Sequence, residues 1–213
     1  MNESIFTDYA VVAVGSTEQE KFPLILVFGR ENNGKAQIIP GISIYDEAIS
    51  SGSTFWNRTY GFVQRLTTWK GQFRQSCVNV GMSPIVFTNA LSKPIPNAQQ
   101  NKDALRVTIQ ENDIMSHING IFDLKLISRV GAVIFSTGNS SVYELSRYEV
   151  IKNCLARSIP FIEMPYFATQ GRKNEELDQA INDENAAIIK NIINEFKTYT
   201  QKVVPADAGK RHG

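Results

Sequence analysis

Four short runs of nearly unbroken apolar residues set the limits on this fold: residues 24–29, 84–89, 130–136 and 160–164. A strand that is apolar at every position, rather than at alternate ones, has both faces covered. Strands of that kind belong to parallel sheets with helices above and below. The intervening stretches supply those helices, with helical patterns over about 53–69, over 102–129 in one or two pieces, and over 142–157. A last long element, about 175–199, carries Leu177, Ile181, Ile188, Ile189, Ile192, Ile193 and Phe196 at helical spacing, the stripe of a helix packed on a core. Strands alternating with helices imply right-handed crossovers. The predicted fold class is therefore α/β, a three-layer α/β/α sandwich around a central, mostly parallel four-stranded sheet. A further edge strand is expected near residues 10–14, and no internal repeat is visible.

A chain of 213 residues is long enough to bury a sizeable core in one domain, here expected over residues 1–202, with a flexible tail over 203–213. No apolar run approaches the roughly 20 residues needed to cross a bilayer, and the N-terminus lacks a basic, apolar leader pattern. Two cysteines, Cys77 and Cys154, are too few for a four-thiolate zinc or iron–sulfur site and read as buried thiols of a reducing cytosol. His117 and His212 stand far apart, so a histidine-based metal site is not expected. The expectation is a cytoplasmic monomer without metal, cofactor or membrane partner. Net charge is only +1, but its distribution is uneven. Between Arg58 and Arg106, seven cations (Arg58, Arg65, Lys70, Arg74, Lys93, Lys102, Arg106) face a single anion, Asp103. Such a stretch either contacts nucleic-acid phosphates or forms a solvated positive face.

In α/β proteins ligands bind at the carboxyl ends of parallel strands. The first run leads into Gly29-Arg30-Glu31-Asn32-Asn33-Gly34, and the second ends on Asn89. The two strands would bring Glu31 and Asn89 to one rim, a carboxylate and an amide suited to assisting bond cleavage and to reading a base edge. Gly29 to Lys35 also has the glycine and lysine spacing of a phosphate-binding P-loop. Ala36 lacks the hydroxyl such a loop offers to magnesium, Pro40 and Gly41 prevent a prompt helix, and Phe135 runs into Ser136-Thr137-Gly138 rather than an acidic residue. Nucleotide hydrolysis is accordingly disfavoured.

The order of these pieces resembles the uracil-DNA glycosylase superfamily, most closely its mismatch-specific, thymine-DNA-glycosylase-like branch. Gly29-Arg30-Glu31-Asn32-Asn33 stands where that branch has Gly-Ile-Asn-Pro-Gly, and Ser53-Thr54-Phe55-Trp56 where it has Asn-x-Phe-Trp. Phe87-Thr88-Asn89, followed by Lys93 and prolines through Pro96, is similar to its Phe-Thr-Asn segment. The stretch from Phe135 to Glu144 resembles its glycine turn and helix, and Met164-Pro165 with Ala168 its loop for the minor groove. The likeness covers about residues 24–175. It implies a monofunctional DNA glycosylase that needs no cofactor and has DNA as its partner. Glu31 replaces the family's catalytic Asn or Asp, Asn32 the following proline, and Tyr166 and Phe167 the serines of the last loop.

Base cleavage passes through an oxocarbenium-like sugar and a departing base anion, and requires the nucleotide to be flipped from the stack. Glu31 is then the electrostatic and general-base residue, and Asn89 the reader of the base edge. Gly29, Asn32 and Asn33 would line the base pocket, with Tyr45 or Phe55 stacking on the base. Phe55 and Trp56 also fit the buried face of their helix. Lys93 and the loop of Met164, Pro165, Tyr166, Phe167, Thr169, Gln170 and Arg172 would contact DNA and fill the gap that the flipped base leaves. Asn33, Gly34 and Lys35 stand where the uracil-specific enzymes carry a tyrosine that blocks C5 substituents. The substrate expected is uracil, mispaired thymine or a 5-modified cytosine, including the hydroxymethylated or glucosylated cytosine of phage DNA, which would imply a defence role. Two other readings stay open: a non-catalytic nucleic-acid-binding module, and a nucleoside-processing enzyme such as a deoxyribosyltransferase.

Overall fold

The computed structural model describes residues 22–30, 54–72, 83–91, 111–169 and 171–203. Within them the chain runs β1 (Leu24–Gly29), α1 (Thr54–Leu66), β2 (Ile85–Asn89), α2 (Glu111–Phe122), β3 (Val130–Phe135), α3 (Glu144–Ala156), β4 (Phe161–Glu163), α4 (Asn174–Gln179) and α5 (Asp183–Val203). Short 3-10 turns at Lys125–Arg129 and Ser141–Tyr143 lead into β3 and α3. The described strands form one four-stranded sheet in the order β2-β1-β3-β4, and every pairing is parallel. The fold class is α/β, as the apolar runs predict. The expected strand at residues 10–14 and the tail over residues 204–213 lie outside the described residues.

The two faces of the sheet follow from the register. Phe28 is level with Thr88 and Val27 with Phe87, so Phe28 and Phe87 leave the sheet on opposite sides. Phe28 stacks on Phe122 of α2, whereas Phe87 meets Phe55, Trp56 and Tyr60 of α1. Helices α1, α4 and α5 thus cover one face, and α2 with α3 the other. All six residues of β1 are buried, as its unbroken apolar run requires.

The C-terminal helical pattern is two helices rather than one. Leu177 and Ile181 keep the helical spacing, but the chain breaks between Gln179 and Asp183. The Asn182 side-chain oxygen accepts a hydrogen bond from the Asn185 backbone N–H at 2.8 Å and caps α5, which carries Asp183 and Glu184 in its first turn. That is a helix start written locally in the sequence. At its far end α5 continues through Val203, one residue past the expected domain limit.

Candidate functional site

After β1 the chain goes to β2 on one side and later returns to β3 on the other, so the order reverses between β1 and β3. The crevice outside the carboxyl ends at such a switch point is the usual ligand site of an open α/β sheet. On the other side of β1, at the same carboxyl rim, Gly29 and Asn89 of β2 are level neighbours. The Ala90 N–H donates to Gly29 O and Arg30 O, both at 2.9 Å, and the Leu91 N–H to Arg30 O at 3.2 Å. By strand alternation the Asn89 side chain leaves on the α1 face, like Phe87. The Asn89 backbone carbonyl accepts a hydrogen bond from His117 Nε2 at 2.8 Å. His117 is buried, and burial pushes its pKa below the ordinary 6.5 against the opposing pull of that bond, so the ring is neutral at pH 7.

The rim is closed by the segment after β4. Ser136 Oγ donates to Pro165 O at 2.8 Å and accepts from the Phe167 N–H at 3.1 Å, locking the loop after β4 to the end of β3. Arg58 of α1 donates through Nη1 to Phe167 O at 3.1 Å and Thr169 O at 2.9 Å. Beside these locks a layered stack crosses the switch point. Phe55 lies parallel to Tyr166 with ring centroids 5.4 Å apart, and the Arg30 guanidinium carbon lies 4.0 Å from the Tyr166 centroid. Gly29 makes room for it: a Cβ there would stand 3.1 Å from the Phe55 ring. A small hollow of about 250 Å³, lined in part by Thr137, Gly138, Tyr143, Arg147 and Glu163, opens at the carboxyl ends of β3 and β4. A wider hollow of about 530 Å³, bordered by Phe122, Lys125, Arg157 and Pro160, lies at the amino ends.

The predicted site residues fall into four groups, with Tyr166 in two of them. Glu31, Asn32, Asn33, Tyr45, Lys93 and Gln170 lie outside the described residues. Gly29, Asn89, Phe55 and Tyr166 come together at the rim, where Phe55 is a packing ring rather than an open platform. It is 8% exposed and occupied by Gly29, Phe87, Tyr166 and Phe167. Met164 and Phe167 are buried at 2% and 0% exposure, which corrects the expectation that they enter a duplex: their apolar surface is already spent on the core. Pro165, Tyr166, Thr169 and Arg172 remain half-buried, with Arg172 3.9 Å from Glu176 of the following helix α4.

The sequence does not single out Arg30 or Ser136, and Arg58, read there as one of a basic stretch that either contacts phosphates or forms a solvated face, is used by the fold on backbone carbonyls. Their partners are distant in sequence, and no local pattern announces them. Among the described residues no group of three or more His, Cys, Asp and Glu side chains is placed to hold a metal ion, and no helix is long and apolar enough to cross a membrane. Compared with known proteins, the sequence matches no family model and no curated relative.

Proposed function

We propose that this protein is a monofunctional DNA glycosylase of the uracil-DNA glycosylase kind, hydrolysing the N-glycosidic bond of a flipped, modified pyrimidine and leaving an abasic site. The observation that carries this reading is the level pairing of Gly29 with Asn89 beside the switch point. Glu31 stands two residues past Gly29 in the sequence, and Asn89, level with Gly29, carries the amide expected to read the base. In the proposed reaction the bond from C1′ to the base nitrogen breaks, and the electron pair leaves with the base, whose anionic edge Asn89 stabilises. Glu31 supports the sugar cation and takes a proton from the water whose oxygen bonds to C1′. His117, neutral and donating to the Asn89 carbonyl, holds that strand end in place.

The substrate proposed is a 5-modified cytosine, hydroxymethylated or glucosylated, ahead of uracil or mispaired thymine, because Asn33, Gly34 and Lys35 supply no aromatic barrier to a C5 group. A site that hydrogen-bonds a substrate hydroxyl discriminates strongly against analogues lacking it. The test is incubation with matched duplexes carrying each base and with phage genomic DNA, followed by an aldehyde-reactive probe for abasic sites. Release of the 5-modified base should exceed that of uracil, and Glu31→Gln should slow release by about 100-fold or more. Absence of abasic sites on every substrate sinks the glycosylase reading, and preference for uracil sinks the substrate assignment.

A further inference from the structure

Arg30 is the first residue past β1, at the switch point itself, and the reaction above makes no use of it. Its Nε–H donates to Thr137 O at 2.8 Å, and its guanidinium lies over the Tyr166 ring at 4.0 Å and 5.9 Å from the Tyr143 centroid. Gly138, at φ +74°, abuts the fork: a Cβ at that position would stand 3.3 Å from an Nη2. These contacts hold the fork at the rim. Among the described residues, Arg65, Arg147, Lys152, Arg157 and Arg172 each have a carboxylate partner, whereas no carboxylate pairs with Arg30. A guanidinium seated over a ring, with its Nε–H bound to a carbonyl and its terminal N–H groups not paired to a carboxylate, can grip an oxyanion through those terminal groups.

We propose that Arg30 is a positioning residue that grips a backbone phosphodiester of bound DNA, anchoring the strand whose nucleotide is flipped toward the rim. The inference rests on the DNA reading above. Its geometry is that of neighbours: a phosphate flanks each deoxyribose in the strand, and Arg30 directly precedes the residue assigned to the sugar. Tyr166 supplies the face that keeps the fork from swinging away, and the glycine at position 138 leaves the Nη2 side uncrowded.

The experiment measures binding of a short fluorescent duplex across salt concentrations for wild type, Arg30→Gln and Arg30→Lys. Each phosphate contact adds about 0.9 to the slope of log affinity against log salt, so Arg30→Gln should flatten the slope by about that amount on every sequence. Arg30→Lys should keep the slope. A second series replaces one phosphodiester at a time by an uncharged methylphosphonate. Wild type should lose affinity at a position flanking the target base, and Arg30→Gln should be indifferent there, a coupling that a merely structural arginine would not show. Should Arg30→Gln fail to fold, Arg30→Met takes its place in both series, and a uniform wild-type scan overturns the grip by itself. DNA binding with identical slopes and no coupling overturns the Arg30 assignment and leaves the glycosylase reading standing. Failure of wild type to bind any duplex or single strand overturns both. Competition by deoxyuridine monophosphate that depends on Arg30, with a duplex slope that does not, reassigns the fork to a free nucleotide and overturns the backbone proposal.

Discussion

The two helical layers differ in emphasis, although Phe28, Phe122 and Phe135 also meet ring to ring on the α2 side and Tyr60 bonds Ser83 on the α1 side. On the α1 and α5 side the packing is ring on ring: Phe62 against Phe167, Tyr60 against Trp69 and Phe87, Phe22 and Trp69 against Phe196. On the α2 and α3 side polar groups are buried and bonded. Ser146 Oγ donates to Ala90 O at 2.8 Å, Asn153 Nδ2 to Asn119 Oδ1 at 2.9 Å, and His117 to Asn89 O. Burial of apolar area is favourable in almost any arrangement, whereas a hydrogen bond is satisfied at one distance and angle. The aromatic face therefore stabilises the sheet, while the polar bonds of the α2 and α3 side set where the carboxyl end of β2 stands; the loop after β4 is held from the α1 side by Arg58 and the Phe55–Tyr166 stack.

That division can be broken from either side. Phe62→Ala, at a fully buried ring, should cost about 3–5 kcal/mol in urea unfolding, since a cavity adds to the lost transfer energy. Base release by the fraction that remains folded should be little changed. A small stability loss would show that this face repacks. Ser146→Ala removes a buried hydroxyl bond and should cost about 1 kcal/mol, yet it should lower base release at full folding more than Phe62→Ala does. If the two variants rank the other way in activity, the polar face does not set the rim.

The pH response sharpens the same contrast. His117 has a folded-state pKa below its ordinary 6.5, so the folded protein binds fewer protons than the unfolded chain in acid. Its contribution to stability is complete above pH 6.5 and declines as pH falls toward the depressed folded value. Thermal melts of wild type against His117→Gln should converge as pH is lowered through that window, and parallel curves would remove His117 from the account. The smallest effect is expected at Cys154, a free thiol 1% exposed, whose pKa burial pushes up to about 12 against the pull of Arg157. In a Cys77→Ser background it should resist thiol reagents at pH 8 until the protein is unfolded. Rapid native labelling would show that the α2–α3 side opens.

How much of this was legible depends on the range of the interaction that decides each feature. The four strands were readable because burial on both faces is written into each run, and β1 and β2 indeed lie side by side with Gly29 level with Asn89. The start of α5 was readable in principle from Asn182 and the acids after it, but the continuing apolar spacing of Leu177 and Ile181 masked the break. The loop of Met164 and Phe167 was misread because an apolar residue looks the same in sequence whether it fills a core or waits for a duplex.

The sequence by itself determined the α/β class and the alternation that makes the sheet parallel, because hydrophobic period is a local property of the chain. Tertiary structure alone decided the order β2-β1-β3-β4 and hence where the switch point falls. It also decided that Arg30 meets Thr137 across 107 residues and that Arg58 secures Phe167 across 109. A guanidinium carries the same charge wherever it stands in the chain. Its partner is fixed only when folding brings a carbonyl, a ring or a phosphate within hydrogen-bond reach, and that choice belongs to the packed layers rather than to any local stretch of residues.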